Sequence, residues 1–169
     1  LRPRGKDNST VSFEPYQRTS PPRHEFYNYW LDMKAGGDGK HYGNVLLMED
    51  PQSSVIVYDE WIAVEIMVRL NTVGKTDGEV AAWVNGKKVA HYKPGSPIGR
   101  HMSTFTPGAG SDPFPGIDFR TDPALAVNFI ELELYSSSTE EGQTTQIMYD
   151  DVVVARRYIG PLTVGKRKP

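Results

Sequence analysis

The chain contains no cysteine, which excludes a disulfide framework and thiolate metal sites. It has no run of eighteen apolar residues, so no segment is suited to cross a bilayer as a helix. Ser-His-Asp order, HExxH, the P-loop and the dinucleotide-binding fingerprint are all missing, and with them several common enzyme classes. The four histidines, His24, His41, His91 and His101, show no zinc-ligand spacing. No segment reads as a convincing helix, and there is no internal repeat.

Gly and Pro are plentiful, at 16 and 13 of 169 residues, with 11% aromatics. That mixture suits a loop-rich β domain, because both residues punctuate turns and break helices. The length fits one domain with a sizeable core. The formal charge of −2 hides an asymmetry. Residues 1–6 and 156–169 carry eight Lys or Arg and no acid, leaving 11 basic against 21 acidic residues between them. Basic ends on an acidic body argue against a broad nucleic-acid surface.

Residues 1–24 read as an extended Pro- and Arg-rich arm, 25–161 as the folded domain, and 162–169 as a basic tail. "EFYNYWLDM" (25–33) is β-prone and runs into the Gly-rich loop "AGGDGKHYG". Two short strands, "NVLLM" and "SVIVY", follow on either side of a polar turn. In "EWIAVEIMVRLN" (60–71), Ile62, Val64, Ile66, Val68 and Leu70 share one face, and Trp61, Ala63, Glu65, Met67 and Arg69 the other. Period two over that length means a strand with one face in a core and a mixed face that is partly covered or lines a groove. "GEVAAWVNGKKVAHY" is a hairpin on an Asn-Gly turn, since both residues tolerate the positive φ of a type I′ turn. Residues 93–124 form a long Pro- and Gly-rich excursion, of a length that usually serves function or covers something. "LAVNFIELELYSS" and "TQIMYDDVVVARRYIG" read as two long closing strands. About nine strands with short links predict an all-β antiparallel β-sandwich or jelly roll.

"W-x-x-V-E-x-M-V-R-L-N", then "G-K-x-D-G-E-V-x-x-W-V-N-G-K-K-V", and finally "I-E-L-E-L-Y … Y-D-D-V-V-V-A-R-R-Y-I-G-P" together resemble the C-terminal half of concanavalin A-like jelly-roll domains related to polysaccharide lyases. "YWLDMKAGGDGKHYGN" fits the same group, and the resemblance spans about residues 25–161. It implies a periplasmic or extracellular location, as in the exported bacterial proteins of that group, and a polysaccharide as partner. The strands that would precede residue 25 are replaced here by a short arm. The fold is therefore expected to be incomplete on its N-terminal side, with the missing strands coming from elsewhere or trimmed away. Fold carries over better than chemistry in such an analogy.

Lyase action on a uronic acid polymer needs a Tyr or His for proton transfer and a group that holds the carboxylate. Tyr27, Tyr29 and Lys34, with His24 beside them, sit on or near one strand, and His41, Tyr42 and Asn44 follow its loop. Tyr27 and Tyr29 point to one face. Tyr27, Tyr29, Lys34 and His41 are thus the catalytic candidates, and Tyr42, Asn44 and Trp83 the carbohydrate-binding ones. Sugar binding without chemistry and plain packing are the competing roles for these residues. Glu131 and Glu133 share a strand face but lack a glycosidase signature, and are expected to face solvent or to pair with Arg or Lys. Asp150 and Asp151 should point to opposite faces of their strand, one of them inward, where it needs a partner. Hydrogen-bonded anchoring and a calcium site at Asp150 are the two uses for it, and no other cofactor is called for. The alternative to glycan recognition is a non-catalytic interaction subunit, with the arm and basic tail lying along a protein partner.

Overall fold

The computed structural model describes residues 9–16, 20–33, 35–101, 105–134 and 140–161. Among them the chain is all-β, with no helix. In chain order the strands are β1 (Phe13–Tyr16), β2 (Arg23–Asn28), β3 (Asn44–Leu46), β4 (Val64–Arg69), β5 (Glu79–Val84), β6 (Lys87–Tyr92), β7 (Ile98–His101), β8 (Phe105–Pro107) and β9 (Asp112–Pro113). They form a six-stranded sheet, ordered β1-β2-β3-β8-β7-β9, and a three-stranded sheet, β4-β5-β6. All pairings are antiparallel except β3 with β8, which meet in parallel through Leu46 and Phe105.

The Asn-Gly hairpin forms as expected. Asn85 and Gly86 take φ of 50° and 78° between β5 and β6, the left-handed pair that a two-residue hairpin turn requires. A bulge between Ala82 and Trp83 shifts the β5–β6 register, and Val89 and Ala90 of β6 are both buried. β4 pairs with β5 so that Val64, Ile66 and Val68 lie opposite Val84, Ala82 and Val80, the side facing the core.

The core fills the space between the sheets. Tyr92 of β6, Phe105 of β8 and Phe114 pack edge to face, with centroids 5.0 to 6.0 Å apart. Phe26, Leu46 and Val80 are fully buried around them. The Tyr92 hydroxyl donates to the Leu47 carbonyl, which satisfies the polar tip of an otherwise apolar ring. The long excursion is what covers this core. It supplies β7, β8 and β9 and buries Phe114, Ile117 and Phe119. It passes so close to the 72–78 turn that a side chain at Gly116, where φ is +93°, would collide with the Thr76 carbonyl.

Asn71, directly after β4, ties that excursion down. Its Nδ2 donates to the carbonyls of Thr72, Lys75 and Arg120, and its Oδ1 accepts from the N–H groups of Phe119 and Arg120. The mixed face of β4 and β5 is covered in part, as its composition suggested. Glu65 accepts from the backbone N–H of Ile159 and of Gly160, and Tyr158 packs on Trp83 at 5.0 Å.

The two closing strands expected over residues 125–137 and 145–160 differ from the structure, residues 135–137 lying outside the described residues. Both segments are exposed along almost their whole length, and among the described residues neither belongs to a sheet. Asp151 takes a left-handed φ of 50° within the second. A strand needs a ladder partner, and among the described residues these segments have none.

Candidate functional site

Strand alternation sends His24, Phe26 and Asn28 of β2 toward the core and Arg23, Glu25 and Tyr27 to the opposite face, where Glu25 is nonetheless buried. Tyr29, just beyond the strand, is partly buried and packs against the core. On β1, Glu14 lies opposite Glu25, and on β3, Val45 lies opposite Tyr27. The Tyr27 and Tyr29 rings meet edge to face, with centroids 5.7 Å apart. Tyr27 lies directly over the backbone of Gly43, where a Cβ would fall inside its ring. Gly43 therefore lets the strand pass beneath an aromatic ring that stays half exposed.

The loop before Gly43 is closed by its own hydrogen bonds. Gly36 N–H donates to the Lys40 carbonyl, and Gly39 N–H to the Gly36 carbonyl. Asp38 accepts from the Tyr42 hydroxyl at 2.9 Å and the Lys40 N–H at 3.1 Å. These bonds hold its carboxyl below the usual carboxylate range, the Lys40 amide contributing most. Tyr42, half exposed, and His41, exposed, thus stand on an ordered loop beside Tyr27.

Two charged groups lie on the same face of β2 as Tyr27. Glu25 is 2% exposed, and among the described residues its Oε2 has no hydrogen-bond partner. Burial pushes its carboxyl above the ordinary value, and the Arg23 charge offsets this in part. The Arg23 Nε is buried and unpartnered as well. Neither residue stood among the sequence candidates, although both lie at period-two spacing from Tyr27.

Of those candidates, Tyr27 and Tyr29 are in ring contact, and His41 and Tyr42 stand on the loop that ends at Gly43, beneath Tyr27. Lys34 lies outside the described residues. Asn44 is buried, and its Nδ2 donates to the Tyr42 carbonyl at 3.2 Å, so it fixes the loop end from within. Trp83 belongs to the other sheet, under Tyr158, and stands apart from the tyrosine row. His24 is buried and stacked on Phe13 at 5.6 Å, and burial lowers its pKa. His91 bonds Glu79 at 2.9 Å, and Glu79 also pairs with Arg69 at 3.0 Å, a ladder across the three-stranded sheet.

Asp150 and Asp151 are both exposed, against the expectation that one points inward. No sheet forms around them, so neither is forced into a core. Asp150 Oδ1 accepts from the Asp151 N–H at 2.8 Å, a local cap. Among the described residues, no group of three or more His, Asp or Glu side chains is arranged to hold a metal ion, so the calcium expectation at Asp150 finds no further ligands here. Glu131 and Glu133 are exposed. No helix among the described residues is long and apolar enough to cross a membrane.

Comparison with protein-family models, with curated proteins and with solved structures returned no match. The chemistry of the faces is therefore the ground for a functional reading.

Proposed function

We propose that the chain is a carbohydrate-recognising β-sandwich domain that takes a polysaccharide along the outward face of β2. The observation that carries this reading is the Tyr27–Tyr29 pair. Two partly exposed rings meet edge to face at the end of β2, with Tyr27 over Gly43 at the end of the loop that carries exposed Tyr42 and His41. Sugar rings present apolar C–H faces edged with hydroxyls. Tyrosine suits both parts, with an apolar ring for the faces and a phenol for the hydroxyls. Its side chain also loses little freedom when it binds.

The resemblance to exported jelly-roll lyases points to a periplasmic or extracellular substrate and to a finer possibility of chemistry. β-Elimination from a uronate would use a Tyr27 or Tyr29 phenolate, or His41, to remove the proton beside the carboxylate. The C–O bond to the leaving sugar breaks as the double bond forms, and the same group, now protonated, or its neighbour returns a proton to the leaving oxygen. A cation on the same face would hold that carboxylate, and Arg23 lies in the same row. A panel of acidic and neutral polysaccharides tests both levels, with binding read by titration and elimination by the ultraviolet absorbance of an unsaturated uronate. Tyr27→Ala and Tyr29→Ala should each weaken binding by about tenfold or more, which corresponds to about 1.4 kcal/mol. Absence of binding across the whole panel refutes the reading.

One observation favours a second reading, that of a non-catalytic subunit in a larger envelope or extracellular assembly. Val127, Phe129, Met148 and Val154 are all more than 60% exposed, and apolar surface of that kind marks interaction sites. Co-purification with a stoichiometric protein partner would support it, and a chain that stays monomeric and soluble alone would count against it.

A further inference from the structure

The exposed apolar surface has a candidate occupant within the chain. β4 uses one edge only. Ala63 accepts from the Asn85 N–H, and its own N–H donates to Asn85 Oδ1. Residues along an antiparallel strand alternate in the edge their N–H and C=O groups face. Ala63, Glu65, Met67 and Arg69 therefore turn theirs to β5, and Val64, Ile66 and Val68 turn theirs to the opposite edge. Among the described residues, no strand pairs with that edge. The core-facing side chains thin out there too, since Val64 and Ile66 are each 45% exposed. Such an edge is a template for strand addition.

Residues 125–134 and 146–154 have the lengths and spacing of two hairpin arms. A turn over residues 140–143 lies between them, with the Gln143 N–H bonded to the Glu140 carbonyl and Gly142 at φ 84°. The Tyr149 hydroxyl donates to the Glu133 carbonyl at 2.9 Å, which brings the two segments together at that point. The outer ends of both segments stand on the β4 segment. Arg120, before the first arm, is bonded through Nε and its backbone to Asn71. Ile159 and Gly160, after the second, are bonded to Glu65. Each arm also matches the 62–70 stretch in length.

We infer that the two segments form a hairpin that completes the smaller sheet within the same chain. One arm adds to the free edge of β4, bonding the outward N–H and C=O groups of Val64, Ile66 and Val68. Its apolar side chains then close over Val64 and Ile66.

Hydrogen exchange on the full chain, with light scattering on the same sample, tests this. The expected result is a particle of about the 18.9 kDa chain mass whose amides at 125–134, 147–154 and Val64, Ile66 and Val68 exchange at least about a hundredfold slower than free peptide. Ile66→Pro removes one outward N–H while leaving the β5 ladder its own donors. It should release the arms selectively, with β5 and β6 still protected. Arms that exchange like free peptide in the unaltered chain overturn the inference. So does protection found only in a dimer and lost on dilution, which would assign the edge to a second copy. If Ile66→Pro does not fold, the exchange pattern of the unaltered chain decides by itself.

Discussion

Asn71→Ala removes five hydrogen bonds at one point and should be among the most damaging single changes outside the aromatic core. Asn71 is 1% exposed, so its partners cannot all turn to water. The Phe119 and Arg120 N–H groups, at 2.8 and 3.0 Å from Oδ1, lose their acceptor. A buried donor left without a partner costs about 1–3 kcal/mol. The Thr72 and Lys75 carbonyls belong to exposed residues and regain water cheaply, while the Arg120 carbonyl does so less readily. Together these give a loss of about 3–5 kcal/mol, a large share of the roughly 5–15 kcal/mol typical of a folded domain. With a urea slope of about 2 kcal/mol/M, the unfolding midpoint should fall by about 2 M. Thr72→Ala, which removes an exposed hydroxyl bond to Asp77 at 2.8 Å, is the control and should cost about 1 kcal/mol or less. A midpoint for Asn71→Ala no lower than the control's would refute the account of how the 93–124 excursion is held over the core.

Phe105→Ala opens a cavity beside Tyr92 and Phe114 and should cost about 3–5 kcal/mol in the same urea assay. Gly43→Ala forces the Tyr27 ring off the strand, so glycan affinity should fall by about tenfold, about 1.4 kcal/mol, while β5 and β6 keep their amide protection. Glu25→Gln bears on pH. The folded carboxyl sits above its ordinary value because it is buried, so the folded state takes up its proton first as pH falls. Its penalty is therefore in force above the folded value, fades as pH drops through it, and is gone below the ordinary carboxylate range. Glu25→Gln should be more stable than the unaltered chain near neutral pH, and the difference should shrink toward about pH 4. His24, lowered by burial, acts in the opposite sense below about pH 6.5, but it is common to both proteins and cancels in the comparison. A difference that does not vary with pH contradicts the assignment.

What was legible in the sequence was local. The Asn-Gly turn and the alternation of 60–71 announce themselves within a dozen residues, and both appear, β4 being shorter because Leu70 and Asn71 already turn into the clamp. Tyr27 and Tyr29 come into ring contact for the same reason. Arg23 and Glu25 follow from the identical spacing, but their weight comes from burial, which depends on β1 and the residues around Val55 rather than on β2 itself. β7, β8 and β9 were hidden in a Gly- and Pro-rich stretch. They are short and exist because Phe105 and Phe114 are drawn into the core, a long-range cause with no periodic signature. Asn44 and Trp83 looked like ligand-facing residues, but Asn44 is buried with its amide on the Tyr42 carbonyl, and Trp83 packs with Tyr158 on the other sheet, a contact no local pattern announces. The expectation that one of Asp150 and Asp151 points inward assumed a buried strand, and burial is likewise decided by contacts distant in the sequence.

The most direct test of the account is a titration of the purified chain and of the Tyr27→Ala/Tyr29→Ala double variant with one panel of acidic and neutral polysaccharides. Binding of at least one polysaccharide by the unaltered chain, weakened at least about a hundredfold, about 2.7 kcal/mol, in a double variant that keeps its urea midpoint, is the expected result. Equal binding by both proteins, or binding by neither, would contradict a tyrosine-lined glycan face.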